Sequence, residues 1–238
     1  MIKKSFNEDV VVSFNEYNHS YFYNNIKLEN ATTFIGKFYK KFDTDNVAPA
    51  TAKAWGVDEA ELREMWNSNG ELAGDFGTAV HKALEHYFKY RNIGKIIQDK
   101  KKFPENYALP KHPLLRRIVK EFIDIDKAIG EITPEALLTD VKNGYCGTSD
   151  RIEIIDLEKK ICRVGDYKIN VTSEELDSNL RAASPFETLP ANKITKYQIQ
   201  LSFYANLLQA AGWTVEALDI YVLEGEWKYY QKEVLKVI

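Results

Sequence analysis

The hydrophobic period of this sequence changes along the chain, and that change limits the folds available to it. Apolar side chains recur at the spacing of an amphipathic helix in residues 72–90 and 113–129. The following apolar segments are short, β-rich and bounded by turns, which predicts strands at 135–141, 145–155 and 161–169. A further helix and two more strands are then predicted at 193–211, 215–223 and 228–237. This order favours an α/β (α+β) fold in which helices flank a central mixed β-sheet.

The first 70 residues have a different pattern. Two β-rich runs at 10–14 and 19–23 predict a hairpin, and short helices are expected at 32–42, 49–56 and 58–67. The last of these opens with a capping-box spacing between Asp58 and Glu61. We therefore expect one domain over residues 1–238, with an N-terminal hairpin and helical lobe in 1–70 and a core in 71–238. Loops are predicted at 91–112 and 181–192, and Thr172 with Glu175 is expected to cap a short helix.

Composition excludes several classes of protein. The 238 residues carry 32 Lys and Arg against 35 Asp and Glu, so a binder that relies on bulk positive charge is excluded. No apolar run approaches the ~20 residues that span a bilayer, and we expect no secretory signal at the N-terminus. Two cysteines, Cys146 and Cys162, are too few for a disulfide framework or a four-thiolate metal site. Both lie in strand-like runs and are predicted to be buried, reduced thiols.

The most informative stretch is the end of the strand predicted at 161–169. Side chains two residues apart on a strand share a face, so Asp166 and Lys168 project in the same direction. The same face carries the apolar residues Cys162 and Val164. A carboxylate and an ammonium at the end of an apolar face are costly unless a function uses them.

A second carboxylate, Asp150, lies on the preceding predicted strand. In a hairpin of these two strands, Asp150 and Asp166 can face each other, and two close carboxylates repel unless a cation lies between them. Carboxylates and water are the ligands that suit Mg²⁺ or Mn²⁺. Beside such a cation, Lys168 can hold a water or stabilise the negative charge of a phosphate.

Two predicted helices carry further polar pairs at helical spacing. His81 and Glu85 are four residues apart and share a helix face, where the imidazole can complete a metal shell. Gln200 and Tyr204 have the same spacing in the helix at 193–211 and present an amide and a phenol together. Taken alone, a single histidine is more often an ordinary core or surface residue than a ligand, and the Gln200 and Tyr204 pair indicates a helix surface or core edge.

In chain order the sequence reads GTxxHxxLE from Gly77 to Glu85, a strand glutamate at Glu135, and GxxD ending at Asp150. DYK at residues 166–168 and QxxxY from Gln200 to Tyr204 follow. This order resembles the PD-(D/E)XK nucleases, and specifically the RecB-type branch. That branch includes RecB nuclease domains, the mitochondrial genome-maintenance exonuclease and many phage-encoded enzymes. The resemblance covers roughly residues 74–210 and implies a PD-(D/E)XK nuclease-like core.

The resemblance implies a role for each matched residue. His81, Asp150, Asp166 and the backbone carbonyl of Tyr167 would hold Mg²⁺ or Mn²⁺, and Lys168 would position or activate the attacking water. Three further groups would lie around this machinery, with Glu135 as an additional metal-linked group, Glu85 supporting His81 or the helix start, and Gln200 with Tyr204 orienting the site.

The resemblance also implies a setting. The expected partner is DNA as single strands or strand ends, with replication or recombination proteins as further partners and no membrane. The expected location is the cytoplasm of a bacterium or phage-infected host. Ile169 and Asn170 stand where this branch often has a small hydroxyl residue. The chain lacks the four cysteines of the iron–sulfur subgroup, so no such cluster is expected.

Candidate nucleic-acid contacts lie outside these motifs. Aromatic residues interleaved with lysines suit stacking on single-stranded bases, although tryptophans in a small helical lobe are also typical core residues. The segment 89–120 holds ten Lys and Arg against two Asp and Glu, and it lies between site-bearing segments. The candidates in these regions are Lys37, Lys40, Trp55, Trp66, Lys101 and Arg116.

Three functions compete at this stage. The leading hypothesis is a metal-dependent deoxyribonuclease, most simply an exonuclease in DNA replication, repair or recombination. The second is a nucleic-acid-binding module of the same fold that does not cut. The third is a hydrolase with His81 and Glu85 in a zinc site, which the absence of an HExxH motif disfavours.

Overall fold

The computed structural model describes residues 1–15, 17–39, 42–96, 108–169, 171 and 182–238, with no side chains described for 92–96. The described residues form a mixed α/β structure built on one large sheet with helices against it. This agrees with the fold class expected from the hydrophobic periods. The helix expected after Thr172 and the candidates Lys40 and Lys101 lie outside the described residues.

Nine strands in the described part of the chain form this sheet. Eight are hydrogen-bonded in the order β1-β2-β3-β4-β6-β7-β8-β9, and β5 pairs with β6. The strands are β1 (Ile2–Lys4), β2 (Val11–Asn15), β3 (Ser20–Tyr23), β4 (Ile26–Asn30), β5 (Glu131–Asp140), β6 (Tyr145–Asp156), β7 (Ile161–Ile169), β8 (Thr214–Glu224) and β9 (Glu226–Lys232).

Strand β6 has a different neighbour at each end of one edge. Its start pairs in parallel with β4 through Glu29 opposite Tyr145, and its second half pairs antiparallel with β7 from Arg151 onward. Its other edge is covered by antiparallel β5. The sheet therefore divides along this edge of β6 between residues 147 and 150, and Asp150 lies in the division. Strands β7 and β8 are parallel, and the chain between them includes a helix.

Five helices are described, and several differ from the predicted bounds. They are α1 (Ala31–Gly36), α2 (Thr44–Trp55), α3 (Glu59–Ile96), α4 (Pro113–Ile125) and α5 (Lys193–Ala210). The two helices predicted at 58–67 and 72–90 and the start of the loop predicted at 91 are one 38-residue helix. The prediction divided it at residues 68–71, which include Gly70, but glycine only weakens a helix, and no proline interrupts residues 59–96.

Smaller corrections concern the ends of the elements. Helix α2 begins five residues before the predicted start, because Asp43 caps it by accepting a hydrogen bond from the Asn46 N–H, and Pro49 lies inside it. The N-terminal segment forms a four-strand meander rather than a single hairpin. Strand β5 begins at Glu131 instead of residue 135, and the last strand ends at Lys232 instead of residue 237.

Apolar clusters on both faces of the sheet hold the helices in place. One cluster joins α1 and α5 to the face that carries Cys162 and Val164. The other joins α3 and α4 to the opposite face, which carries Tyr167 and Tyr221. Both cysteines are buried free thiols, as predicted. None of the described helices combines the length and apolarity that crossing a membrane requires.

Candidate metal centre

A cavity of about 570 Å³ opens where the sheet divides beside β6. One wall is the middle of α3, and the opposite wall is formed by β5, β6 and the end of β7. The lining residues are Ala73, Gly74, Gly77, Thr78, His81, Lys82, Glu85, Glu135, Asp150, Tyr167, Lys168 and Ile169. The structure therefore brings together residues from four of the five motifs on which the resemblance was based.

Asp150 and Asp166 are brought together by the pairing of β6 with β7. Arg151 lies opposite Gly165, and the same antiparallel register places Asp150 opposite Asp166. Asp150 accepts hydrogen bonds from the Tyr167 backbone N–H at 3.1 Å and from His81 Nδ1 at 3.2 Å. Although burial opposes its charge, His81, Asp166 and Lys168 hold the pKa of Asp150 well below its usual range. Burial raises the pKa of Asp166, which has less hydrogen-bonding support.

Residues of β7 and α5 hold the Lys168 side chain in place. Its ammonium contacts the Asp166 carboxylate and donates to Gln200 Oε1 at 3.2 Å, and it lies 4.7 Å from the centre of the Tyr197 ring. Burial opposes the charge on Lys168, but the nearby carboxylates outweigh it and raise its pKa. The side chain therefore remains an ammonium at neutral pH, which suits electrostatic stabilisation rather than proton abstraction.

The pair Gln200 and Tyr204 lies behind Lys168, as their shared helix face predicts. Gln200 Nε2 donates to the Tyr204 hydroxyl at 3.4 Å, so the amide is oriented with its oxygen toward Lys168. The Tyr204 ring lies against the backbone of Gly147. A Cβ atom at that position would come within 2.4 Å of the ring. The glycine of the GxxD motif therefore makes room for the tyrosine of the QxxxY motif.

Glu135 reaches the cavity through an unusual backbone conformation. Its φ of 49° is in the left-handed region, which L-residues rarely adopt, and it lies between Pro134 and Ala136, which pair with β6. Such strain in a strand is typical of functional positions. The pKa of Glu135 is raised to about 7, mainly because the surrounding protein atoms desolvate the carboxyl group. The negative charges of Asp150 and Glu85 add to this effect.

Three of these side chains form a donor set of the size that a cation requires. One ligand atom from each of His81, Glu135 and Asp150 lies within 4.8 Å of the others. A cation would offset both the desolvation and the repulsion that raise the pKa of Glu135, so the residues present fit a divalent metal. One imidazole and two carboxylates favour Mg²⁺ or Mn²⁺ over zinc, whose usual shells are richer in nitrogen and sulfur.

Glu135 and Glu85, both predicted around the site, have more definite positions. Glu135 is part of the donor set itself. Asp166, predicted as a metal ligand, is paired with Lys168 beside that set, and its ligand role stays a prediction. Glu85 lies one turn after His81 in the interior of α3, which begins at Glu59, so it does not support a helix start. Its charge acts on Glu135 instead. The metal-ligand role predicted for the Tyr167 carbonyl stays a prediction.

The described nucleic-acid candidates lie outside the lining of the cavity. Lys37 pairs with Glu29 at 2.5 Å, and Arg116 is half-buried on α4. Trp55 is 63% exposed, and Trp66 contacts Phe42 with ring centres 6.1 Å apart. Residues 42–75, which surround both tryptophans, hold eight Asp and Glu against two Lys and Arg. This acidic setting does not favour a polyanion.

Sequence reasoning missed two groups near the site. Lys196 lies one helical turn before Gln200, and this spacing was the available signal. Arg151 follows Asp150 directly and is completely buried, a location that a charged residue next to a polar motif does not reveal.

Comparison with known proteins adds no relative. No family model matches the chain, and no significant match was found among curated proteins or solved structures. The assignment of function therefore depends on the geometry of the cavity.

Proposed function

We propose that the protein is a metal-dependent nuclease that hydrolyses phosphodiester bonds in DNA, acting on single strands or strand ends. The observation that carries this proposal is one open cavity lined by an imidazole, three carboxylates and two lysines, one of which, Lys168, is paired with Asp166. Acids that bind a cation, beside an ammonium that remains charged, suit a reaction in which negative charge develops on a phosphate.

His81, Glu135 and Asp150 would hold the divalent metal. When bound, the cation would polarise the phosphate and lower the pKa of the attacking water. Asp166 keeps the Lys168 ammonium at the cavity, and Gln200 fixes its direction. Lys168 then stabilises the additional negative charge on the phosphate oxygens in the transition state.

Labelled DNA provides the direct test. Single- and double-stranded oligonucleotides labelled at the 5′ or 3′ end are incubated with Mg²⁺, Mn²⁺ or EDTA. We expect metal-dependent release of nucleotides from an end, abolished by Asp150→Asn and greatly slowed by Lys168→Ala. Asp156→Asn is the matched control, because Asp156 lies at the far end of β6 and pairs with Lys159 away from the cavity.

The same assay separates the competing functions. Binding of DNA without turnover under any divalent metal would favour the non-cutting module, although the presence of both Asp166 and Lys168 argues against it. Tightly bound zinc in the purified protein would favour the zinc hydrolase. Equal cleavage by the parent protein and both site variants would show that the assigned residues are wrong.

A further inference from the structure

Lys196 is a cation beside the candidate metal centre to which the proposed reaction gives no role. It lies on α5 four residues before Gln200, and Tyr204 follows four residues later, so the three share a helix face. Gln200 is the residue that contacts Lys168. The half-buried Lys196 ammonium lies 5.4 Å from the centre of the Tyr39 ring, which covers one side of it.

Among the described residues, the charges that act on the pKa of Lys196 are of the same sign as its own. Burial lowers its pKa, and the nearby Lys193 and Lys168 lower it further. No carboxylate in the described part of the chain forms an ion pair with Lys196. Lys168 by contrast has Asp166 as its partner. A half-buried cation in a positive surrounding is a place where an anion binds favourably.

We propose that Lys196 binds a phosphate of the DNA strand adjacent to the one that is hydrolysed. This inference rests on the proposed nuclease function and specifies its substrate as a strand with a neighbouring phosphate. Four residues of helix advance about 6 Å, which separates Lys196 from Gln200 by roughly one nucleotide step. The strand then runs from the metal centre along the start of α5.

The charge of the α2–α3 lobe, residues 42–75, supports this direction. Acidic residues in the lobe outnumber basic ones eight to two, and the end of the lobe lines the cavity through Ala73 and Gly74. A polyanion that leaves the cavity is repelled from the lobe and attracted by Lys196 and Lys168.

Two substrates test the proposal. One is a single-stranded oligonucleotide, and the other is the p-nitrophenyl ester of thymidine 5′-monophosphate, which has one phosphodiester and no neighbouring phosphate. We expect Lys196→Gln to lower kcat/KM on the oligonucleotide by about tenfold, mainly through KM, and to leave the ester unaffected. The salt dependence of oligonucleotide affinity should fall by a slope of about 0.7. Lys196→Arg should retain most of the activity.

Lys53→Gln is the matched control, because Lys53 is an exposed lysine on the acidic lobe. It should change neither substrate. Equal activity of Lys196→Gln and the parent on the oligonucleotide would overturn the proposal. So would an equal loss on both substrates, because that result would mean that Lys196 acts on the geometry of the metal centre or on the fold.

Failure of the nuclease function is distinguishable from failure of this inference. If the parent protein hydrolyses neither substrate, fluorescence anisotropy of a labelled oligonucleotide in Ca²⁺ is compared for the parent, Lys196→Gln and Lys53→Gln. Weaker binding by Lys196→Gln alone supports the phosphate contact, and equal binding by all three refutes it.

Discussion

Asp150 and Arg151 are neighbours in β6, and the alternation of side chains turns them toward opposite faces of the sheet. Asp150 faces the cavity with Lys168, and Asp166 is buried beside them, where α3 and α5 approach from either side. Arg151 points into the apolar cluster beneath α3 and α4 and is completely buried. The β6–β7 hairpin therefore carries charge on both faces, one open to solvent and one closed.

The closed face surrounds Arg151 with opposite charge and aromatic rings. Arg151 Nη2 donates to Asp126 at 2.7 Å and lies 3.8 Å from Glu153. The guanidinium also lies against three aromatic rings, with centres 5.2 to 5.9 Å away, those of Phe88, Phe122 and Tyr221. Its methylenes cover Gly165, where a Cβ would come within 2.9 Å of Arg151 Cδ.

The closed face contributes to stability, and the open face contributes to the chemistry. Charges on the closed face have permanent partners, so removing one leaves another buried without compensation. On the open face, Glu135 and Asp150 crowd each other in a way that a cation would relieve. We therefore expect variants of the closed face to change unfolding and variants of the open face to change activity.

The largest expected effect is on the closed face. Arg151→Ala should lower the free energy of unfolding by about 3–5 kcal/mol, because Asp126 and Glu153 lose their buried partner. Urea unfolding measures it. The double variant Arg151→Met/Asp126→Asn is the control. An apolar side chain of similar length can replace a buried ion pair at little cost when the partner's charge is also removed. A stable Arg151→Met/Asp126→Asn protein with greatly reduced activity would show that the faces are not separable.

Lys168→Met should have the next largest effect, on the open face. Loss of this ammonium should reduce the single-turnover cleavage rate by about 10²–10³-fold, because the transition state loses one electrostatic contact. The urea midpoint should change less than in Arg151→Ala, because Asp166 can take up a proton. A fall in stability as large as that of Arg151→Ala, with the rate unchanged, would reverse the roles of the two faces.

The sequence predicts the open face better than the closed one. Alternation on β7 places Asp166 with Lys168, and helical spacing places Gln200 with Tyr204, so both pairs follow from local periodicity. The donor set also needs the left-handed backbone of Glu135, which no propensity indicates. Arg151 resembles an exposed strand residue, and its burial depends on Asp126, which lies 25 residues away in the chain. Long-range partners of this kind cannot be read from one sequence.

A smaller effect concerns pH. The folded-state pKa of Glu135 is raised to about 7, so the folded protein binds a proton there more tightly than the unfolded chain. The proton bound at Glu135 therefore stabilises the folded protein below the ordinary glutamate pKa, and this stabilisation is lost as the pH rises toward 7. In metal-free protein, Glu135→Gln should therefore raise the melting temperature at pH 8 and change it little at pH 5. Thermal unfolding at both values is the measurement.

Metal affinity should rise with pH, whereas the stabilisation from protonated Glu135 falls. Protons compete with the cation for Glu135 and for His81, whose pKa is also raised by Asp150 against the effect of burial. Mn²⁺ should therefore bind more weakly at pH 6 than at pH 8 in calorimetric titrations. Glu135→Gln should bind less tightly at pH 8 and lose part of this pH dependence. A pH-independent affinity in the parent would remove Glu135 and His81 from the donor set.

The smallest expected effect tests whether complete burial of an arginine on the closed face determines how much stability is lost when that arginine is removed. Arg163 repeats the arrangement of Arg151 in that it pairs with an aspartate, Asp219, at 2.6 Å and donates to the Tyr229 hydroxyl at 3.0 Å. Its side chain, however, is 16% exposed against 1% for Arg151. Tyr229 still donates to Asp219 at 2.8 Å when the arginine is removed, so Arg163→Ala should cost only about 1–2 kcal/mol in urea unfolding. A cost equal to that of Arg151→Ala would mean that the ion pair, rather than its enclosure by aromatic rings, determines the stability of this face.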